Sequence, residues 1–290
     1  MPYLGEIAAL TTAFCWAISV VYFRRLGGVF SPLSLNLWKG LISIAGLLLI
    51  VFISPRPAPE HQEILWLMLS GVIGIGIGDT AFFAALNRMG ERSTLLLAET
   101  LAPVFTAILA MLWISEWLSV FQWLAIGVIL LGVDLVLRSK KDSDEKPTFS
   151  GLSFAALAAL CQAVGAVIGR DVLISTDIDV ISASLLRLLG GLIFIVPMLL
   201  FSRQRWLPTR AVGGQTWKLM FLATFIGTFI AMVLQTFSFA HAPAAIVQSL
   251  FASSIIFSLV IAKVQGVALA RQAILGSSIA TLGVALIFLS

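Results

Sequence analysis

Arg138-Ser-Lys-Lys-Asp-Ser-Asp-Glu-Lys-Pro-Thr-Phe-Ser150 is the one extended polar run in the chain, carrying Lys140, Lys141, Asp142, Asp144, Glu145 and Lys146. Five apolar stretches precede it, at about residues 4–23, 32–54, 64–86, 92–114 and 119–137. Five more follow, at about 150–169, 179–201, 215–239, 243–262 and 270–289. Crossing a hydrocarbon core about 30 Å thick takes about 20 helical residues, and these stretches are of that order. They are continuous rather than alternating, which excludes transmembrane β-strands. The reading is an all-α polytopic membrane protein with ten transmembrane helices. A first five-helix repeat covers 1–138, a linker 139–149 and a second five-helix repeat 150–290.

Composition agrees. The 290 residues are 60% hydrophobic and 11% charged, less than half the charge of an ordinary soluble domain, so there is too little polar surface to cover a water-soluble globule. The net charge of +4 suggests nucleic acid at first sight. The basic residues, however, are scattered between apolar runs and form no face that could follow a phosphate backbone. Cys15 and Cys161 both lie inside apolar stretches, and His61 and His241 lie in separate loops, so no metal site or disulfide framework is expected. No nucleotide-binding motif or cofactor signature occurs. Met1-Pro-Tyr-Leu-Gly-Glu6 lacks the positive region of a leader, so the first stretch is read as a retained helix.

The basic residues also set an expected orientation. Of the 18 Lys and Arg, 14 fall in loops 1–2, 3–4, 5–6, 7–8 and 9–10. Only Arg56 and Arg170 fall on the other side, while Lys39 and Arg187 lie within helices. The positive-inside rule then gives a multi-pass protein of the plasma (inner) membrane, with both termini outside and the 139–149 linker cytoplasmic. The halves also read as copies. Cys15 matches Cys161, Lys39 matches Arg187, Trp66 matches Trp217, Gln122 matches Gln272 and Gly132 matches Gly283, at offsets that drift only from 146 to 151 residues. With five helices per half, the second copy enters the membrane from the opposite face. Inverted repeats of this kind characterise secondary transporters, whose solute site lies between the halves.

Glu99-Thr-Leu-Ala-Pro103-Val-Phe105, then Ser115-Glu116-Trp-Leu118, Gln122, Gly127 and Gly132, give the chain a resemblance to the drug/metabolite transporter superfamily, in particular its ten-helix EamA-type exporters. The second half departs from the pattern: Ser253 stands where Pro103 has its match, and Gln265-Gly266 stands where Gly-Glu would be typical. The resemblance implies a secondary active transporter exporting amino acids or related small metabolites by alternating access. An organic-cation or lipid translocator of the same fold is the alternative.

Ionisable side chains at membrane depth cost about 2.5–3.5 kcal/mol on insertion scales, so each needs a partner or a cavity. Lys39, Asp79 and Glu99 each lie seven residues from the inner end of their stretches, which is about 10 Å deep. Arg187 occupies the pseudo-symmetric outer position. Gln235 and Gln248 fall at comparable outer depths, while Trp16 and Gln162 sit near mid-membrane. Asn36 and Lys39 share a helical stripe with Ser43 and Gly46, as Ser184 and Arg187 do with Gly191. One expectation is a solute pathway: Arg187 or Lys39 holding a substrate carboxylate, Trp16 an aromatic wall, Asn36 and the glutamines neutral hydrogen bonds, and Glu99 or Asp79 a coupling proton. The other makes Lys39 with Asp79 or Glu99 a structural ion pair, which a net charge of zero over the four groups would suit. Glu116 at an outer helix end is read as solvated, and Asp134 with Arg138 as an interfacial i, i+4 pair.

Gly76-Ile-Gly78-Asp79 spells the G-x-G-D of presenilin-like proteases. Such chemistry needs a second aspartate at the same depth, and the other intrahelical aspartate, Asp134, lies near the interface. The chain is therefore read as a carrier rather than an enzyme, with a small molecule, the lipid bilayer and possible coupling protons as its partners.

Overall fold

The structure, a computed structural model, describes residues 3–139, 148–202, 205–208, 212–266 and 268–289. Most of the 139–149 linker lies outside the described residues. In lipid every backbone N–H and C=O must be satisfied within the segment, and helices do this. The described helices are α1 (Leu4–Gly27), α2 (Leu33–Ile53), α3 (His61–Met89), α4 (Ser93–Trp113), α5 (Val120–Arg138), α6 (Phe149–Ser175), α7 (Val180–Ser202), α8 (Gly214–His241), α9 (Ala244–Val264) and α10 (Arg271–Ile287). Nine of them are long and apolar enough to cross a bilayer; α10 is shorter than its expected 270–289 span.

Local chemistry sets the ends. Ser31 caps α2 ahead of Pro32, its hydroxyl accepting the Ser34 N–H. Glu60 and Glu63 form a capping box at α3, and Ser119 and Gln122 exchange hydrogen bonds in the same way at α5. Between α3 and α4 there is no coil: the chain stays helical from Gly78 to Trp113. It nevertheless reverses direction there, because Trp113 returns to within 6.2 Å of Trp66 at the start of α3. Tyr3 packs on Phe288 at 5.3 Å, which places both termini on one side of the bundle. That side is called the termini side below, and the side of the 139–149 segment the linker side.

The two halves pack through each other in matched pairs. Helix α3 lies along α6, and α8 along α1; α5 pairs with α10, and α2 with α7. Both long pairings cross at residues too small to separate the backbones. A Cβ on Gly165 of α6 would lie 2.9 Å from the Gly74 Cα of α3, and one on Gly227 of α8 would lie 2.0 Å from the Ser19 hydroxyl of α1. Ser19 and Gly165 stand 146 residues apart, the offset that relates Cys15 to Cys161. At these same crossings α3 and α8 each open into a π-helical turn, Val72–Ile77 and Phe225–Ile230. Helix α9 is also interrupted: Ala252 and Ser253 form a turn between Ala244–Phe251 and Ser254–Val264. Pro103, the partner of Ser253 in the repeat, bears on the same level of α4, which stays helical through it.

Candidate functional site

At the centre of the bundle is a cavity of about 360 Å³ bounded by helices from both halves. All nine residues singled out from the sequence border it: Trp16 on α1, Asn36 and Lys39 on α2, Asp79 on α3, Glu99 on α4, Gln162 on α6, Arg187 on α7, Gln235 on α8 and Gln248 on α9. Phe82, Thr228, Phe239 and Ser254 border it too and were not anticipated. Thr228 and Ser254 obey the rule that found the others, a polar group in an apolar run. Phe82 and Phe239 carry no such signal. The π-helical turns contribute Gly74, Ile75, Gly227 and Thr228 to the wall, in line with the tendency of π-bulges to occur at functional sites.

The stripes expected on α2 and α7 divide between cavity and packing. Asn36 and Lys39 face the cavity, whereas Gly46 meets the Phe229 ring. Arg187 faces it, whereas Ser184 donates to Thr236 Oγ1 on α8 at 2.9 Å and Gly191 packs on Ile75. Gln248 donates to Gln162 Oε1 at 3.3 Å across the α9–α6 boundary, and Trp16 packs on Phe251 with ring centroids 5.0 Å apart.

The charged groups occupy two ends. Arg187 is 4% exposed, and its Nε and Nη1 have no hydrogen-bond partner. Its guanidinium lies against Gly169 and 5.9 Å from the centroid of the Phe239 ring. Asp79 lies eight residues along α3 from Gly71, the residue that abuts the Arg187 backbone, or about 12 Å toward the linker side. Glu99 and Lys39 share that end, and Lys39 Nζ sits 5.6 Å from the centroid of the Phe23 ring. Among the described residues no carboxylate comes within 4 Å of Lys39 or Arg187, so Lys39 makes no direct contact ion pair with Asp79 or Glu99 in this structure. Asp134 pairs instead with Arg138 at 2.8 Å, four residues on. No second aspartate borders the cavity with Asp79.

Glu116 is not solvated as expected. Helix α6 runs past 169 to Ser175, which brings Arg170 under the α4–α5 connection. Arg170 donates from Nε and Nη2 to Glu116 Oε1, at 3.1 and 2.8 Å, and from Nη1 to the Phe239 carbonyl. Glu116 Oε2 accepts the Ala244 N–H at 2.8 Å, so a carboxylate also sits on the positive N-terminal end of α9. The two side chains are 12% and 14% exposed. Four segments are thereby tied together on the termini side, beside the Arg187 end of the cavity. The segments that the repeat relates differ in burial. All eight residues of Ala244–Phe251, on the termini side of α9, are buried. Among their counterparts at 94–101 of α4, only Thr94 and Ala98 are. The bundle is sealed at one end and loosely packed at the other.

A ten-helix bundle in two interlocked halves around a central cavity bordered by charged and amide side chains is the architecture of a membrane transporter. The chain matches the EamA-like transporter family over residues 3–138 and 149–289, and it belongs to that family. It is similar to an "Uncharacterized transporter" of Archaeoglobus fulgidus, 27% identical over 56% of this chain and 56% of that protein. It is also similar to the "Uncharacterized transporter YdfC" of Bacillus subtilis (strain 168), 29% identical over 51% of this chain and 48% of that protein. The chain thus spans about half the length of the curated relatives it matches. A solved structure titled "Crystal structure of protein" has the same fold, with a TM-score of 0.80 over 98% of this chain and 96% of its own at 16% identity.

Proposed function

We propose that this protein is a secondary active transporter that exports amino acids or related small metabolites by alternating access through the central cavity. The observation that carries the proposal is the cavity itself: charged and amide groups from seven helices converge on it, with Trp16 on an eighth, and the Nε and Nη1 of the buried Arg187 have no hydrogen-bond partner. Groups of this kind at membrane depth mark solute and ion pathways. The 14-to-2 distribution of Lys and Arg supports placing the linker side in the cytoplasm of a cell whose plasma membrane holds the chain. In that frame Asp79, Glu99 and Lys39, each only partly buried, form the cytoplasmic end of the cavity, and the Glu116–Arg170 network closes the outer end. Solute loads from inside, and the loose linker-side half of α4 closes as the tight half of α9 opens.

The test is counterflow in proteoliposomes against labelled amino acids and organic cations, with and without an inward proton gradient. Saturable accumulation of a panel member is the expected result; a flat response to every solute would overturn the reading. If Glu99 carries the coupling proton, Glu99→Gln removes the dependence of transport on the pH gradient and leaves solute exchange in place. Coupling that survives the substitution would assign the proton to another group.

A further inference from the structure

We infer that the sealed, termini-side end of the cavity is a docking subsite for one carboxylate, with Arg187 as its ligand, so that the solute enters carboxylate first. This rests on the transporter reading and names the class of solute. A guanidinium at 4% exposure with unpartnered Nε and Nη1 is an uncompensated buried charge, and leaving one unpaired in a protein interior is strongly destabilising. Among the described residues the fold offers it no carboxylate within ion-pair distance. Glu116, tied to that end through Arg170 and Phe239, has both of its oxygens committed, one to Arg170 and the other to the Ala244 N–H. Arg170 in turn takes the Phe239 carbonyl, while the face of the same Phe239 ring lies near the Arg187 guanidinium. Two arginines flank one phenylalanine: every nitrogen of the Arg170 guanidinium has a protein acceptor, whereas Nε and Nη1 of Arg187, which borders the cavity, have none.

The surroundings select one carboxylate rather than a more highly charged anion. Arg187 is the sole cation bordering that end among the described residues, and the groups beyond it are the amides Gln162 and Gln248. The far end, with Asp79, Glu99 and Lys39, carries one net negative charge when all three are ionised. That polarity orients a solute with its carboxylate on Arg187 and any ammonium toward the linker side. Planar guanidinium groups match carboxylate geometry, and such charge-assisted hydrogen bonds are about twice as strong as neutral ones.

The purified 290-residue chain in nanodiscs tests this directly. Three scaffolds (propyl, isobutyl and benzyl) each carry a carboxylate, an amino-carboxylate, the matching carboxamide or an amine alone, and affinities are read from the concentration dependence of the melting temperature. Wild type is expected to bind carboxylates at least tenfold more tightly than the matching amides. Arg187→Gln is expected to erase that preference, Arg187→Lys to keep part of it, and the amine response to be the same in all three. The subsite is overturned if amides bind as tightly as carboxylates, if Arg187→Gln keeps the wild-type preference, or if no carboxylate registers. Should Arg187→Gln fail to fold, the wild-type comparison of acid with amide decides alone. Counterflow separates the two proposals: transport of an amine without carboxylate binding sinks the subsite and leaves the transporter, and carboxylate binding without any counterflow does the reverse.

Discussion

Glu116→Ala is expected to destabilise the protein by about 3–5 kcal/mol, the cost of breaking a buried ion pair by removing one partner. The truncation leaves Arg170, only 12% exposed, with a single remaining acceptor in the Phe239 carbonyl, and it orphans the Ala244 N–H at the head of α9. Glu116→Gln keeps an acceptor for one of the two partner residues and should cost less than half as much. The control is Asp134→Ala. It breaks an equally short pair, 2.8 Å, whose arginine is 61% exposed, and exposed i, i+4 pairs contribute only about 0.3–0.5 kcal/mol. Denaturation of the three variants in matched detergent, followed by helical circular dichroism, checks the order. A Glu116→Ala protein as stable as Asp134→Ala would mean that water compensates Arg170, and the network would lose its standing as the seal of the termini side.

That network also shows where sequence reading stops. Each of its members stands at the end of an apolar run, where solvation is the ordinary fate of a charge, and 54 residues separate Glu116 from Arg170. Reading α6 as ending at 169 put Arg170 in a loop. In the structure every donor group of Arg170 finds an acceptor, so the helix continues to Ser175 with the arginine inside the packed surface. The cavity, by contrast, was legible. Lys39, Asp79, Glu99 and Arg187 could not face lipid at their depths, and a two-lobed bundle offers one interior, so burial physics assigned them a common destination without any knowledge of distance. What burial physics could not say was whether they would meet in pairs there. Lys39 makes no contact ion pair with the carboxylates, and its ammonium lies 5.6 Å from the centroid of the Phe23 ring. The π-helical turns were likewise out of reach, since Val72-Ile-Gly-Ile-Gly-Ile77 reads as ordinary apolar helix and only the structure shows that the turn coincides with the crossing with α6.

The inequality between the related halves of α4 and α9 follows from the same contacts. Glu116 holds the head of α9 through Ala244, and its counterpart in the repeat is Gly266, which turns the chain with φ 86° and has no side chain to hold the head of α4. Under the alternating access proposed above, an inverted repeat with a clamp on one side only would have unequal end states, and the clamped side is the one found closed. Loosening the clamp therefore bears on the balance between those states as well as on stability.

Gly71→Ala is expected to lower transport by at least a hundredfold while destabilising the bundle by about 1–3 kcal/mol, the usual range for overpacking. A Cβ at residue 71 would lie 1.9 Å from the Arg187 carbonyl oxygen and 2.7 Å from its carbonyl carbon. Both are backbone atoms and cannot rotate aside, so α3 and α7 must part by about 1.5 Å to restore contact distance. Sliding offers no relief, because Gly190 on α7 meets the Met68 carbonyl in the same way one turn away. The displaced residue is Arg187 itself, whose guanidinium would leave its place between Gly169 and Phe239. A misplacement of about 1 Å at a reacting or binding group can cost about a hundredfold. Gly127→Ala on α5 is the matched control. Nothing lies within 4 Å of its added Cβ, and alanine there should be neutral or stabilising by up to about 1 kcal/mol. Transport assays and thermal denaturation of both variants decide the matter. If Gly71→Ala transports as Gly127→Ala does, the α3–α7 contact does not position Arg187, and the guanidinium is held by something other than the close approach of these two helices.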